Sequence, residues 1–225
     1  MTARHHPSDE TLMAWAAGTF PAGPRLVVAI HLDGCRRCRD TVAGFEAIGG
    51  ALLEAAEPAP MATGAFDALM ARIDAENAAP EASTGNRTPI RPTVSNVPTT
   101  PDGLALPPRL AHHTVGRWRS LGRALSWSRV EVAGAPDANV ILLRIPAAGA
   151  APRHGHTGRE FTQVLVGGFT DGRDAYVAGD FDEADETVDH RPLVDVDGEC
   201  ICVAAVEGRL RIHGIGRLLQ PFVGL

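Results

Sequence analysis

Gly149-Ala-Ala-Pro-Arg-His154-Gly-His156-Thr-Gly-Arg-Glu160, running on through six residues to Gly167, is the stretch that decides the fold. In an extended strand, side chains two apart share a face, so His154 and His156 point the same way. Gly158 marks a turn, after which Glu160 returns on the next strand to face them. Two imidazoles and a carboxylate on one side of a sheet make an N/O donor set for a divalent transition metal. Three such donors leave room for a fourth from elsewhere in the chain.

Around this stretch, from Trp118 onward, short apolar runs alternate with Gly, Asp and Pro. The runs 139–145, 161–166, 200–206 and 209–212 predict strands of an antiparallel sandwich or barrel. The apolar end, 218–225, predicts a last strand or a docked tail. Cys200 and Cys202 share a strand face and are expected to be small core residues beside the barrel interior. His112, His113 and His213 have no matching partners and are expected in solvent.

Upstream the composition changes. Seven of the 17 prolines fall between residues 79 and 108, among Thr, Ser, Asn and Gly. This predicts an extended linker with nothing to bury, and the chain divides into 1–78, 79–108 and 109–225.

Residues 8–78 read as helices. Ser8 is an N-cap, with Asp9 and Glu10 at the positive end of the helix dipole, and Gly18 is a stop. A second helix runs from about Pro24 to Gly34. A third carries Cys38, Val42, Phe45, Gly49 and Leu52 at steps of four and three, predicting one inward face. A fourth shows Phe66, Leu69, Met70 and Ile73 at i, i+3, i+4 and i+7, a stripe that serves either as core or as a partner-facing surface. Between the second and third helices, His31-Leu-Asp-Gly-Cys35-Arg-Arg-Cys38 spells H-x3-C-x2-C. His31 on the last turn of one helix, with Cys35 and Cys38 opening the next, supplies three of the four ligands of a tetrahedral zinc site. His5 or His6, just before the first cap, is the source of the fourth. Arg36, Arg37 and Arg39 read as a solvated basic face.

The formal charge of -6 argues against a surface built to wrap nucleic acid. The N-terminus lacks the apolar run of a secretion signal, and nowhere do about 18 apolar residues run together. A cytoplasmic address is expected. There, closely spaced cysteines serve as metal ligands or core residues rather than disulfides.

Two resemblances meet in the chain. H-x-H-x3-E-x6-G is similar to the first cupin motif, which implies a double-stranded β-helix barrel holding its metal through His154, His156 and Glu160. His190 follows Gly179 by the spacing of the second cupin motif and is implied as the fourth ligand. Departures are Gly149, one residue closer to His154 than usual, and Asp185, Thr187 and Val194 in place of that motif's Pro, Gly and Asn.

H-x3-C-x2-C with His5-His6, Trp15-Ala-Ala-Gly18 and Leu26-Val-Val-Ala29 resembles the zinc-binding anti-sigma domain. Together the halves resemble the ChrR-type anti-sigma factors across the whole chain. That resemblance selects His6 as the upstream ligand beside His31, Cys35 and Cys38, and zinc as the metal there. It tilts the barrel site toward zinc among the divalent metals that three His and a Glu accept. It implies a two-domain α + β protein, not an enzyme, that sequesters an extracytoplasmic-function sigma factor as a 1:1 heterodimer. Release is then expected on a stress signal such as singlet oxygen. A metal-dependent cupin enzyme, a dioxygenase or isomerase with a regulatory zinc domain, is the alternative, since cupin folds are widely reused. A zinc-finger nucleic-acid binder is disfavoured by the acidic balance.

Overall fold

The computed structural model describes residues 3–78, 97–122 and 125–213. The apolar end at 218–225 lies outside the described residues. Four helices come first: α1 (Asp9–Ala16), α2 (Ala22–Gly34), α3 (Arg36–Ala55) and α4 (Ala65–Ala78). A short 3-10 helix, Pro108–His112, leads into strands β1 (Thr114–Val115), β2 (Arg119–Leu121), β3 (Leu125–Val132) and β4 (Ala135–Ile145). Next come β5 (His154–His156), β6 (Glu160–Val166), β7 (Gly168–Thr170) and β8 (Ala175–Val177). Last are β9 (Phe181–Ala184), β10 (Asp189–His190), β11 (Cys200–Val206) and β12 (Leu210–Ile212). An α + β chain with a β-barrel is what the patterning predicts.

The larger sheet runs β1-β3-β4-β11-β6-β9, with β2 on β3, and the smaller runs β10-β5-β12. All named pairings are antiparallel. Gly167, which closes the motif, has φ +64, and a Cβ there would lie 1.9 Å from the Glu199 carbonyl oxygen. Only glycine fits such a turn.

Both faces of the larger sheet are covered. Leu125, Trp127, Ile145 and Val164 point into the barrel. Val140, Leu142, Phe161 and Val203 point outward and pack with Val27 and Val28 of α2 in one core. That explains the unbroken apolar run of β11, all seven residues of which are buried. Each fully buried Val, Leu or Phe here contributes about 1.5–3 kcal/mol. Gly23 lets α2 approach, since a Cβ there would stand 3.2 Å from Val140 Cγ2.

The compact units therefore do not follow the divisions at 78 and 108. The helical chain up to Gly49 and the chain from Val97 on form one unit, and the stretch from Gly50 forms another. Part of the predicted linker is also ordered. Leu106 is buried in the α2 core, and Arg144 forks onto Asp102 at 2.8 and 2.9 Å while its Nε donates to Glu199. Prolines set an extended backbone, but one leucine and one carboxylate suffice to anchor it.

The inward stripe of α3 is only half realised. Cys38 and Val42 are buried and Phe45 packs beside them, while Leu52 is 68% exposed. Steps of four and three give a helix a face. They cannot say how far along it a neighbour extends.

Candidate metal centres

His6, His31, Cys35 and Cys38 come together at the corner between α2 and α3. Their donor atoms all lie within 4.8 Å of one another. His6 Nδ1 is 3.4 Å from both Cys35 Sγ and Cys38 Sγ, and His31 Nε2 is 3.4 Å from Cys38 Sγ. Tetrahedral zinc with bonds of about 2.0–2.1 Å to N and 2.3 Å to S separates such donors by about 3.5 Å. Burial lowers the pKa of both His6 and His31, keeping their imidazoles neutral as ligands must be. Burial and the neighbouring Cys35 push the Cys38 thiol up to about 12. A thiolate in this place therefore requires a cation beside it.

The two nitrogens of His31 have separate work. Nε2 faces the sulfur, and Nδ1 pairs with Gln163 Oε1 at 2.9 Å. His5, the other histidine of the pair, is not a ligand of this cluster but is held by carboxylates. Its ring reaches Asp180 at 3.1 Å and Asp174 at 2.9 Å, and these carboxylates outweigh burial to raise its pKa. Arg39 is likewise no solvated charge, since it donates to the Leu32 and Asp33 carbonyls at the end of α2.

Inside the barrel, β5 carries His154 and His156, β6 carries Glu160, and β10 carries His190, paired in register with His154. These four side chains are buried, and their donor atoms also lie within 4.8 Å of one another. His154 Nδ1 donates to the Pro152 carbonyl at 2.8 Å, and His190 Nδ1 donates to Asp171 at 2.9 Å. The remaining nitrogens of both rings carry lone pairs, yet they face each other at 3.0 Å. His156 Nε2 stands 2.5 Å from Glu160 Oε2, but neither of its ring nitrogens has a hydrogen-bond partner among the described residues. An unpartnered buried imidazole beside two whose nitrogens converge on one another and on Glu160 suits a shared cation, so the residues present fit a metal. The three histidines outweigh burial to hold the Glu160 carboxyl well below its usual range.

Asp171, the partner of His190, was missed by sequence reasoning. No motif marks it, because it comes from the turn after β7. Arg173 pairs with both Asp171 and Asp182 and neutralises that side of the site. His154, Glu160 and His190 border a cavity of about 90 Å³ with walls of Leu125, Trp127, Leu143, Ile145 and Phe169. Cys200 and Cys202 line it too, and the Cys200 contact together with burial raises the Cys202 thiol.

Over 229 residues the chain is 36% identical to the anti-sigma-E factor ChrR of Cereibacter sphaeroides, covering 99% of both. The chain belongs to the ChrR family. Residues 108–207 match the ChrR cupin-like domain. The crystal structure of Rhodobacter sphaeroides SigE in complex with the anti-sigma ChrR is similar with a TM-score of 0.68 and 33% identity, covering 92% of this chain and all of that one. An RmlC-like cupin from Ralstonia eutropha is similar at 19% identity and a TM-score of 0.39, over 46% of this chain and 68% of its own.

One more surface of this ChrR-family chain bears on function. The predicted stripe on α4 is not core: Phe66 is 66% exposed, Leu69 51% and Ile73 42%. On α3, Ile48, Leu52 and Leu53 are exposed as well. Two short helical stretches that leave so many large apolar side chains in water are suited to a protein partner.

Proposed function

We propose that this chain is an anti-sigma factor: it sequesters an extracytoplasmic-function sigma factor as a 1:1 complex and so represses transcription. The observation that carries the reading is the full-length match to an anti-sigma-E factor, 36% identical over 99% of both chains. The exposed apolar faces of α3 and α4 support it, because capturing a partner would cover them. The role is regulatory rather than enzymatic.

In this reading zinc is held by His6, His31, Cys35 and Cys38, and zinc or another divalent metal by His154, His156, Glu160 and His190. Metal at the first site supplies a cross-link that holds the α2–α3 corner against the segment before α1. The chain's own residues do the rest. Gln163 orients His31, Asp180 receives the Arg4 and His5 backbone amides, and Pro152 and Asp171 fix the barrel imidazoles. Residues 1–78 serve as the sigma-binding segment, 79–108 as connector, and 109–225 as sensor of a stress signal such as singlet oxygen. Among the described residues no helix is long and apolar enough to cross a membrane, and the sigma factor's own location supports a cytoplasmic address.

Co-expression with an extracytoplasmic-function sigma factor, followed by size-exclusion chromatography and metal analysis, tests this. A 1:1 complex with two metal equivalents per chain is the expected result. Free sigma factor beside a folded, metal-loaded chain would refute the sequestration.

A further inference from the structure

We propose that Gln163 is a positioning residue that links the two metal centres, so that the state of the barrel site sets how firmly the zinc site keeps its metal. The inference rests on reading both clusters as metal sites.

Strand β6 alternates its faces. Glu160 and Thr162 line the barrel cavity, whereas Phe161 packs outward in the α2 core. Gln163, also turned outward, reaches His31 of α2. One strand therefore carries a barrel donor on its inner face and, three residues or about 10 Å further on, the hydrogen-bond partner of a zinc-site imidazole on its outer face. Both partners of that bond are buried, His31 at 2% and Gln163 at 4% exposure. No solvent stands ready to replace it.

The orientation of the amide is determined. Gln163 Nε2 donates to the Val164 carbonyl at 2.9 Å, and a carbonyl can only accept. Oε1 is therefore the atom turned to His31, and it can only accept from Nδ1–H. The proton on Nδ1 leaves the lone pair on Nε2, the nitrogen facing Cys38. Gln163 thus favours the metal-binding tautomer of His31, beside the Gly179 backbone carbonyl that also meets the ring, as second partners of ligating histidines do.

The next stretch of barrel acts on the other imidazole. Asp180 accepts from the Arg4 and His5 amides at 2.6 and 3.1 Å, and Phe181 N donates to the His5 carbonyl at 3.1 Å. That clasp sits directly before His6. Strand β9, which begins at Phe181, pairs with β6 and brings Asp182 opposite Thr162. The cysteines are held within the helical corner alone, while His31 is bonded to β6 and the residue before His6 is held at the start of β9. Any shift of β6 on gain or loss of a metal at Glu160 would therefore move the acceptor of His31.

Cobalt provides the test, because only the first cluster contains sulfur. In the full chain loaded with Co²⁺, with Cys200 and Cys202 of the barrel cavity replaced by Ser, the thiolate-to-metal charge-transfer band reports that site alone, and its decay under excess chelator gives a release rate. Gln163→Leu should release roughly 10–100-fold faster, whereas Gln163→Glu, which restores an acceptor, should stay within a few-fold of the parent. Gln163→Asn, with the amide withdrawn by one methylene, makes the same comparison should Gln163→Leu not fold. Glu160→Gln in the barrel should also speed decay of this band, and should add nothing further once Gln163 is replaced. Unchanged release in both Gln163→Leu and Gln163→Asn would overturn the proposal. So would Glu160 and Gln163 effects that simply multiply. Absence of the band in the parent would overturn the metal reading itself, and sigma capture, which this assay never measures, fails or stands separately.

Discussion

His154 Nε2 and His190 Nε2 face each other at 3.0 Å while the second nitrogen of each ring is already engaged, by the Pro152 carbonyl and by Asp171. Two lone pairs at that distance repel unless a cation or proton lies between them. Asp171→Asn should weaken metal binding in the barrel by roughly 10–100-fold, read by competition with a chromophoric chelator. Affinity equal to the parent's would show that Asp171 does not orient His190.

Proton and metal compete for that same position. Burial lowers the His190 pKa, but Glu160 and Asp171 outweigh it, so the metal-free value is raised above the ordinary 6.5. A raised value means the proton is present at higher pH. Apparent metal affinity of the barrel should therefore begin to fall, as pH is lowered, above the ordinary histidine range. Calorimetry across pH 5–9 in buffers of different ionisation heat would show the protons released.

Cys35→Ser with Cys38→Ser removes both sulfurs from the first cluster. Metal content should fall by one equivalent, and sigma capture should be lost, with the barrel metal retained. Full repression by that variant in a reporter strain would separate the zinc site from sequestration.

Phe66 is the most exposed residue of the α4 stripe, at 66%, so charge there should leave folding within about 0.5 kcal/mol of the parent. Phe66→Glu should nevertheless cost sigma binding about 2 kcal/mol or more, roughly 30-fold. Thermal melts and binding titrations on the same samples decide it.

Asp102 is held by Thr100 first and then Arg144, which bring its pKa down to about 2. A depressed folded value means the contact is intact above the usual carboxylate range and is lost only as pH falls through about 2. Acidification to pH 5 should not loosen residues 97–106, but Arg144→Ala should. Limited proteolysis with mapping of the cut sites distinguishes the two.

Much of this was legible in the residue order. H-x3-C-x2-C with Gly34 inside it reads as a corner between two helices, and the structure puts His31 on the last turn of α2, Cys35 at its cap and Cys38 on α3. H-x-H-x3-E implies a strand, a turn and a returning strand, because alternation sends both histidines to one face. Those local rules lead to three members of each donor set, and the family resemblance supplied His6 and His190 as the fourth. The α4 stripe was legible as a stripe and no more, since periodicity is the same whether the face meets a core or water.

What the linear order determined, then, is the three neighbouring donors of each cluster: spacing at 3.6 or 2 residues per repeat constrains neighbours a few positions apart. Only the tertiary structure decided what lies across from them. Gln163 meets His31 over a separation of 132 residues, Asp171 meets His190 out of a turn, and α2 lies on the sheet. Such contacts depend on how two apolar faces dock to exclude water. That is a property of surfaces in three dimensions, and no short-range pattern carries it.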